Sequence, residues 1–148
     1  MNALFDFMHI PSNSSSVISS ALIQDKYFSK IILKHLEIPV VDCFKLYKGK
    51  DTIIKEGFDF PLVIKPSHLG SSIGVKKVYN YDEYQKYLNI AFVYDEEVIV
   101  ESSVEHLKEL NVAVLGDENN QIVSDIELVN MEDKVLTFKD KYELFQSK

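Results

Sequence analysis

"KPSHLGSSIGVKK", residues 65–77, joins an apolar run, "PLVI" (61–64), to a second strand-like run, "VKKVY" (75–79). A loop this rich in Gly and Ser between two strands reads as a flap, with Lys65 at its entrance. Gly70 and Gly74 bracket Ser71, Ser72 and Ile73. Glycine permits backbone angles that turn successive N–H groups toward one point, and such a nest binds anions. The Ser hydroxyls add donors, and Lys65 adds a positive charge suited to phosphate. The stretch is not a P-loop, because no G-K-[ST] leads into a helix. Nor is it a dinucleotide fingerprint, because a strand follows rather than a helix. Read alone, the same residues also describe a mobile hairpin loop with an exposed lysine. With little side chain to pack, residues 68–73 are expected to be loosely held.

Outward from the loop, the pattern is mixed. Val17, Ile18, Ala21, Leu22, Phe28, Ile31, Ile32 and Leu36 recur at steps of three and four, which predicts helix in two pieces. "IPVVDCFKLY" (38–47) is rich in β-formers and reads as a strand, and a polar connection leads from it to the apolar run. After the loop, Asn80 and Glu83 form a capping pair ahead of an amphipathic helix, "YDEYQKYLNIAFVY". "EVIVE" (97–101) reads as a buried strand; "ELNVAVLG" (109–116) and "QIVSDIELV" (121–129) flank the turn "DENN" as a hairpin. The order lacks a regular β-α-β repeat, so the fold class is α+β, a mixed or antiparallel sheet flanked by helices.

Composition narrows the function classes. Acidic residues outnumber basic ones 23 to 16, a net charge of −7, which argues against a nucleic-acid binder. The apolar runs are too short to span a membrane, and the start lacks the pattern of a signal peptide. Cys43 is the one cysteine, so no internal disulfide forms; a soluble, cytoplasmic protein is expected. His35, His68 and His106 show no metal-ligand spacing and read as surface residues.

"QDK" (24–26), "PLVIKPSHLGSSIGV" (61–75), "AFVYDEEVIVE" (91–101), "ELNVAVLG" (109–116) and "FKDKYELFQSK" (138–148) occur in an order and at separations that resemble the D-alanine–D-alanine ligases of the ATP-grasp fold. The resemblance implies a central nucleotide-binding lobe with its lead-in over residues 1–108 and an incomplete C-terminal lobe over 109–148. It implies ATP as cofactor, with Lys26 and Lys65 on the α- and β-phosphates. Gly70, Ser71, Ser72 and Gly74 would cover the phosphates. The strand ending at Glu101, with Val104, would face the adenine edge, and Glu109 the ribose. Ser71 joins Lys141 and Tyr142, from the closing loop, as the catalytic set. Each residue alone has an ordinary explanation, such as a solvated charge or a strand end; the joint pattern raises them above it.

The family's reaction phosphorylates the D-alanine carboxylate and lets a second D-alanine attack it, making the dipeptide for peptidoglycan in the cell wall. The resemblance thus implies ATP and D-alanine as small-molecule partners, and a homodimeric parent. It also implies Mg2+ held by ligands outside this chain, because no downstream N-T-x-P-G pattern is present; the chain is expected to be a fragment, inactive by itself. Ser102 stands where many relatives carry a lysine, and "SSVEHLK" (102–108) lacks their glycine. Other expectations left open are an ATP-grasp ligase for a different carboxylate and a non-catalytic nucleotide-binding module.

Overall fold

A computed structural model describes residues 2–50, 52–117 and 119–129. It divides into two compact units, residues 1–103 and 104–148.

The first unit opens with a short helix, α1 (Asn2–Phe7), followed by α2 (Val17–Gln24) and α3 (Lys26–His35). Asp25 separates α2 from α3. Its backbone is extended, and its carboxylate accepts from the Tyr27 and Phe28 N–H groups at 2.8 and 3.1 Å, capping α3. That cap is why the periodic stretch breaks into two helices. Strand β1 (Cys43–Tyr47) is shorter than the expected 38–47. The residues ahead of it lie outside its ladder, which begins where Cys43 pairs with Glu101. Then come β2 (Leu62–Pro66), β3 (Lys76–Val78), α4 (Tyr81–Tyr94) and β4 (Glu97–Ser102). Asn80 caps α4 by accepting from the Glu83 N–H at 2.9 Å, and Glu83 accepts in turn from the Tyr79 N–H.

The strands form one antiparallel sheet in the order β1-β4-β2-β3. Side chains alternate between its faces. One face carries Phe44, Leu46, Leu62, Ile64, Val78, Val98 and Val100, all buried against Tyr84, Leu88, Ala91 and Phe92 of α4. Each such side chain contributes roughly 1.5–3 kcal/mol on leaving water. The opposite face carries Lys45, Lys65, Glu97 and Glu101, in register with Ile99 and Val63. The sheet is therefore apolar on one side and charged on the other.

The second unit contains β5 (Glu109–Asn111), β6 (Val114–Gly116), β7 (Gln121–Val123) and β8 (Glu127–Val129). β6 pairs with β7 and β5 with β8, both antiparallel, so the expected hairpin forms with an interruption between its two ladders. At the interruption the Ser124 hydroxyl accepts from the Ala113 N–H and the Ser124 N–H donates to the Ala113 carbonyl. The turn needs a glycine at 116: its φ is +132°, and a Cβ there would lie 1.9 Å from the Asn120 carbonyl oxygen.

Candidate functional site: a lysine-lined sheet face and its glycine loop

Lys65 stands one residue before the end of β2, on the charged face. Its ammonium lies 2.5 Å from one oxygen of Glu101, two residues along β4 from its own ladder partner Ile99. The other Glu101 oxygen takes Lys30 of α3 at 3.1 Å. Glu101 itself is only 5% exposed. A carboxylate this deep needs cations around it, and it has two.

Lys26 begins α3 directly after the Asp25 cap. Its ammonium donates to the carbonyls of Pro66, Ser67 and Leu69, and its backbone N–H donates to Ser67 as well. Gln24 adds a bond to the His68 carbonyl at 3.1 Å. The "QDK" segment thus grips the stem of the glycine loop. Burial, joined by the positive charge of Lys65, lowers the Lys26 ammonium below its ordinary value, against the opposing pull of Asp95, Glu101 and Asp25. Lys26 and Lys65 thus share one neighbourhood, Lys26 bonded to three carbonyls and Lys65 to Glu101.

Beyond the stem, Ser71 and Ser72 take left-handed backbone angles, φ 53° and 57°, and Gly74 follows at 69°. The Ile73 N–H donates to Gly70 and the Val75 N–H to Ser72, so the tip is two consecutive tight turns. Gly74 is required twice over: by its φ, and because a Cβ would lie 2.8 Å from the Pro66 ring and 3.2 Å from Tyr94. At Gly70 a Cβ would meet nothing within 4 Å. The expected loose loop is therefore corrected in part. Residues 66–69 are tied down, and the exposed portion is Gly70 and Ser71.

A second charged cluster supports the stem from below. Lys45 sits 2.5 Å from Glu97 and 3.5 Å from Asp25, with the rings of Tyr27 and Phe28 at 4.8 and 4.9 Å. His68, expected as a surface residue, has its side chain 44% exposed and is also bracketed by two carboxylates. Its Nδ1 lies 3.1 Å from Asp95 and its Nε2 3.2 Å from Asp25, while its backbone N–H donates to Asp95. Burial alone would push the Asp25 and Asp95 carboxyls up. For Asp25 the Phe28 and Tyr27 N–H groups, Lys45 and His68 outweigh it; for Asp95 the His68 and Glu97 N–H groups do so with the His68 side chain. Both carboxyls end below their usual values. Burial also works against the Lys45 ammonium, but the Glu97 hydrogen bond and the Asp25 charge outweigh it and raise that group. Asp25, His68 and Glu97 have the spacing of a metal site among the described residues. The Lys45 ammonium already bonds two of the three, so the cation there is the lysine and the group does not suit a divalent ion.

The structure thus brings Lys26, Lys65, Glu101 and the loop Gly70, Ser71, Ser72 and Gly74 into one neighbourhood. Val104 and Glu109 belong to the second unit, where Glu109 opens β5 opposite Val129. Lys141 and Tyr142 lie outside the described residues. Sequence reasoning missed Lys30, Lys45, Asp25 and Asp95. A signal existed for two of them: alternation along "CFKLY" and "EVIVE" places Lys45 on the face of Glu97 and Glu101, and Asp25 stands at a helix start.

The same arrangement of elements recurs in known proteins. The family model described as "D-ala D-ala ligase C-terminus" matches residues 32–148. The D-alanine–D-alanine ligase of Thermosipho africanus is 36% identical over 149 residues, covering 96% of this chain and 40% of the relative. The crystal structure of D-alanine–D-alanine ligase from Helicobacter pylori superposes with a TM-score of 0.79 at 32% identity, over 95% of this chain and 43% of that one. That of the Bacillus anthracis ligase complexed with ATP gives 0.73 at 28% identity, over 92% and 44%. The chain spans about two fifths of the length of these relatives. On the family match over residues 32–148 and the shared architecture, the chain belongs to the D-alanine–D-alanine ligase family and has the ATP-grasp fold.

Proposed function

We propose that the chain is the ATP-binding portion of a D-alanine–D-alanine ligase, which joins two D-alanines through an acyl phosphate for peptidoglycan. The observation that carries this is the pair Lys26 and Lys65, held beside a loop with consecutive left-handed residues Ser71 and Ser72. Two ammonium groups beside a glycine–serine loop suit a polyphosphate better than a single carboxylate. The Bacillus anthracis neighbour, a complex with ATP, supports the choice of nucleotide. In this reading Lys26 and Lys65 take the α- and β-phosphates, Gly70–Gly74 covers them, and the end of β4 at Glu101, with Val104, flanks the adenine. Glu109 binds the ribose, and Ser71, Lys141 and Tyr142 serve the chemistry.

The domain boundary after residue 108, a homodimeric parent and a cytoplasmic location belong to the same proposal and follow from the family. Mg2+ would neutralise phosphate charge during transfer. Its ligands are proposed to lie outside the described residues, since the three-residue group that could hold a metal is filled by Lys45. Calorimetric titration of the chain with ATP tests the nucleotide claim. Saturable binding that inorganic tripolyphosphate competes away is the expected result. A folded chain that gives no binding heat with millimolar ATP contradicts it.

A further inference from the structure

The Lys65 ammonium is engaged: Glu101 holds it at 2.5 Å. A phosphate arriving at Lys65 must draw it from that carboxylate. Were Lys65 the carboxylate's sole partner, its departure would leave Glu101, with its side chain 6% exposed, as a buried and uncompensated charge, one of the costlier events in a folded protein. Lys30 removes that obstacle. It holds the other carboxylate oxygen at 3.1 Å, and it is fixed there by donating to the Val41 carbonyl at 2.9 Å. Lys30 is also the less exposed of the two lysines, 18% against 28% for Lys65. Of the two partners, the one free to leave is therefore Lys65. The three groups together carry one surplus positive charge, and it is available at the strand end beside the glycine loop.

We infer that Lys30 is a positioning residue for nucleotide binding: by keeping the Glu101 carboxylate paired, it frees Lys65 to bind phosphate. Lys30 itself touches no ligand. The inference rests on the nucleotide reading above and deepens it. With Lys30 removed, Lys65 becomes the only counter-ion of Glu101 and stays on it.

Inorganic tripolyphosphate is the probe, because it carries the phosphates without the base that the end of β4 is proposed to flank. Affinity is measured by calorimetry on the full chain, with thermal unfolding as the control for folding. Lys30→Met should weaken tripolyphosphate binding on the order of tenfold, and Lys30→Arg should restore it. Glu101→Gln should bind at least as tightly as the parent, because Lys65 then has no carboxylate to leave. In the Glu101→Gln background, adding Lys30→Met should cost much less than it does in the parent. A long-range attraction from Lys30, or damage to the fold, would weaken both backgrounds alike and overturns the inference. So does a Lys30→Met chain that binds like the parent while Lys65→Ala binds more weakly, and so does weaker binding by Glu101→Gln. The nucleotide reading fails separately, and takes the inference with it, if the parent chain and Lys65→Ala titrate alike.

Discussion

At the scale of the residue, Lys65 carries the most weight. Its ammonium sits on Glu101, a carboxylate that Lys30 also holds. A charge-assisted hydrogen bond to phosphate contributes roughly 1.5–3 kcal/mol, so Lys65→Ala should weaken ATP binding about ten- to hundredfold in a calorimetric titration; identical titrations would remove Lys65 from the site. The two loop glycines should separate cleanly. Gly74→Ala forces a side chain to φ +69° and against the Pro66 ring, which should cost about 1–3 kcal/mol of stability in urea denaturation. Gly70→Ala meets open space and should change stability by less than about 0.5 kcal/mol, yet weaken ATP binding by crowding the phosphates. A Gly70→Ala chain that binds ATP like the parent would place the phosphates elsewhere. Much of this was legible: the glycines, the serines and Lys65 lie within one short segment, and loop chemistry is local. The pairing of Lys65 and Lys30 through Glu101 was not. It depends on β2 and β4 lying antiparallel with Val63 opposite Glu101, and on α3 packing over that register. Neither is written in neighbouring residues.

At the scale of the element, capping and buried charge decide what the helices do. Asn80→Ala removes the acceptor for the Glu83 N–H and should destabilise the chain by about 1 kcal/mol in thermal or urea unfolding; no change would mean that α4 starts elsewhere. The α2–α3 junction and the helix-to-strand turn at Asp95 make a pH prediction. The carboxyls of Asp25 and Asp95 are held below their ordinary values, so the folded state binds protons less readily there than the unfolded chain. Their contribution is complete above the unfolded value of about 3.9 and disappears as pH falls through that value toward the folded one. Stability should drop on acidification below about pH 4, and Asp95→Asn should flatten that dependence in urea unfolding measured across the acid range. An equal acid slope in parent and variant would contradict this. Elements with strong local signals were legible: α4 matches its cap and period, and β4 its buried apolar run. Helix α1 was missed because six residues hold too little periodicity to read. It is placed instead by distant bonds, Asn2 donating to the Ser15 carbonyl and the Ser20 hydroxyl. The early end assigned to β1 failed because the β-formers Ile38, Val40 and Val41 resemble strand until a partner ladder is known.

At the scale of the whole molecule, the sheet has one apolar face and one charged face. The apolar face and α4 form the core, while Lys45, Lys65, Glu97 and Glu101 line the other face beneath α3. Alternation along the strands foreshadowed this division, but only the strand order β1-β4-β2-β3 brings the lysines and carboxylates of three strands together. The role proposed within a ligase makes its own prediction. When the aligned segment of the Helicobacter pylori enzyme is replaced by this chain, the folded chimera should form D-alanyl-D-alanine from ATP and D-alanine, as followed by amino-acid analysis. A folded chimera that binds ATP yet forms no dipeptide would favour the non-catalytic alternative. The central claim, that ATP phosphates bind where Lys26, Lys65 and the glycine loop meet, is most directly tested by a residue-resolved NMR titration of the chain with MgATP. Saturable shifts should concentrate on the backbone amides of Lys26, Lys65 and residues 67–75. Saturable shifts confined to other surfaces, or none at millimolar ATP, would contradict the account.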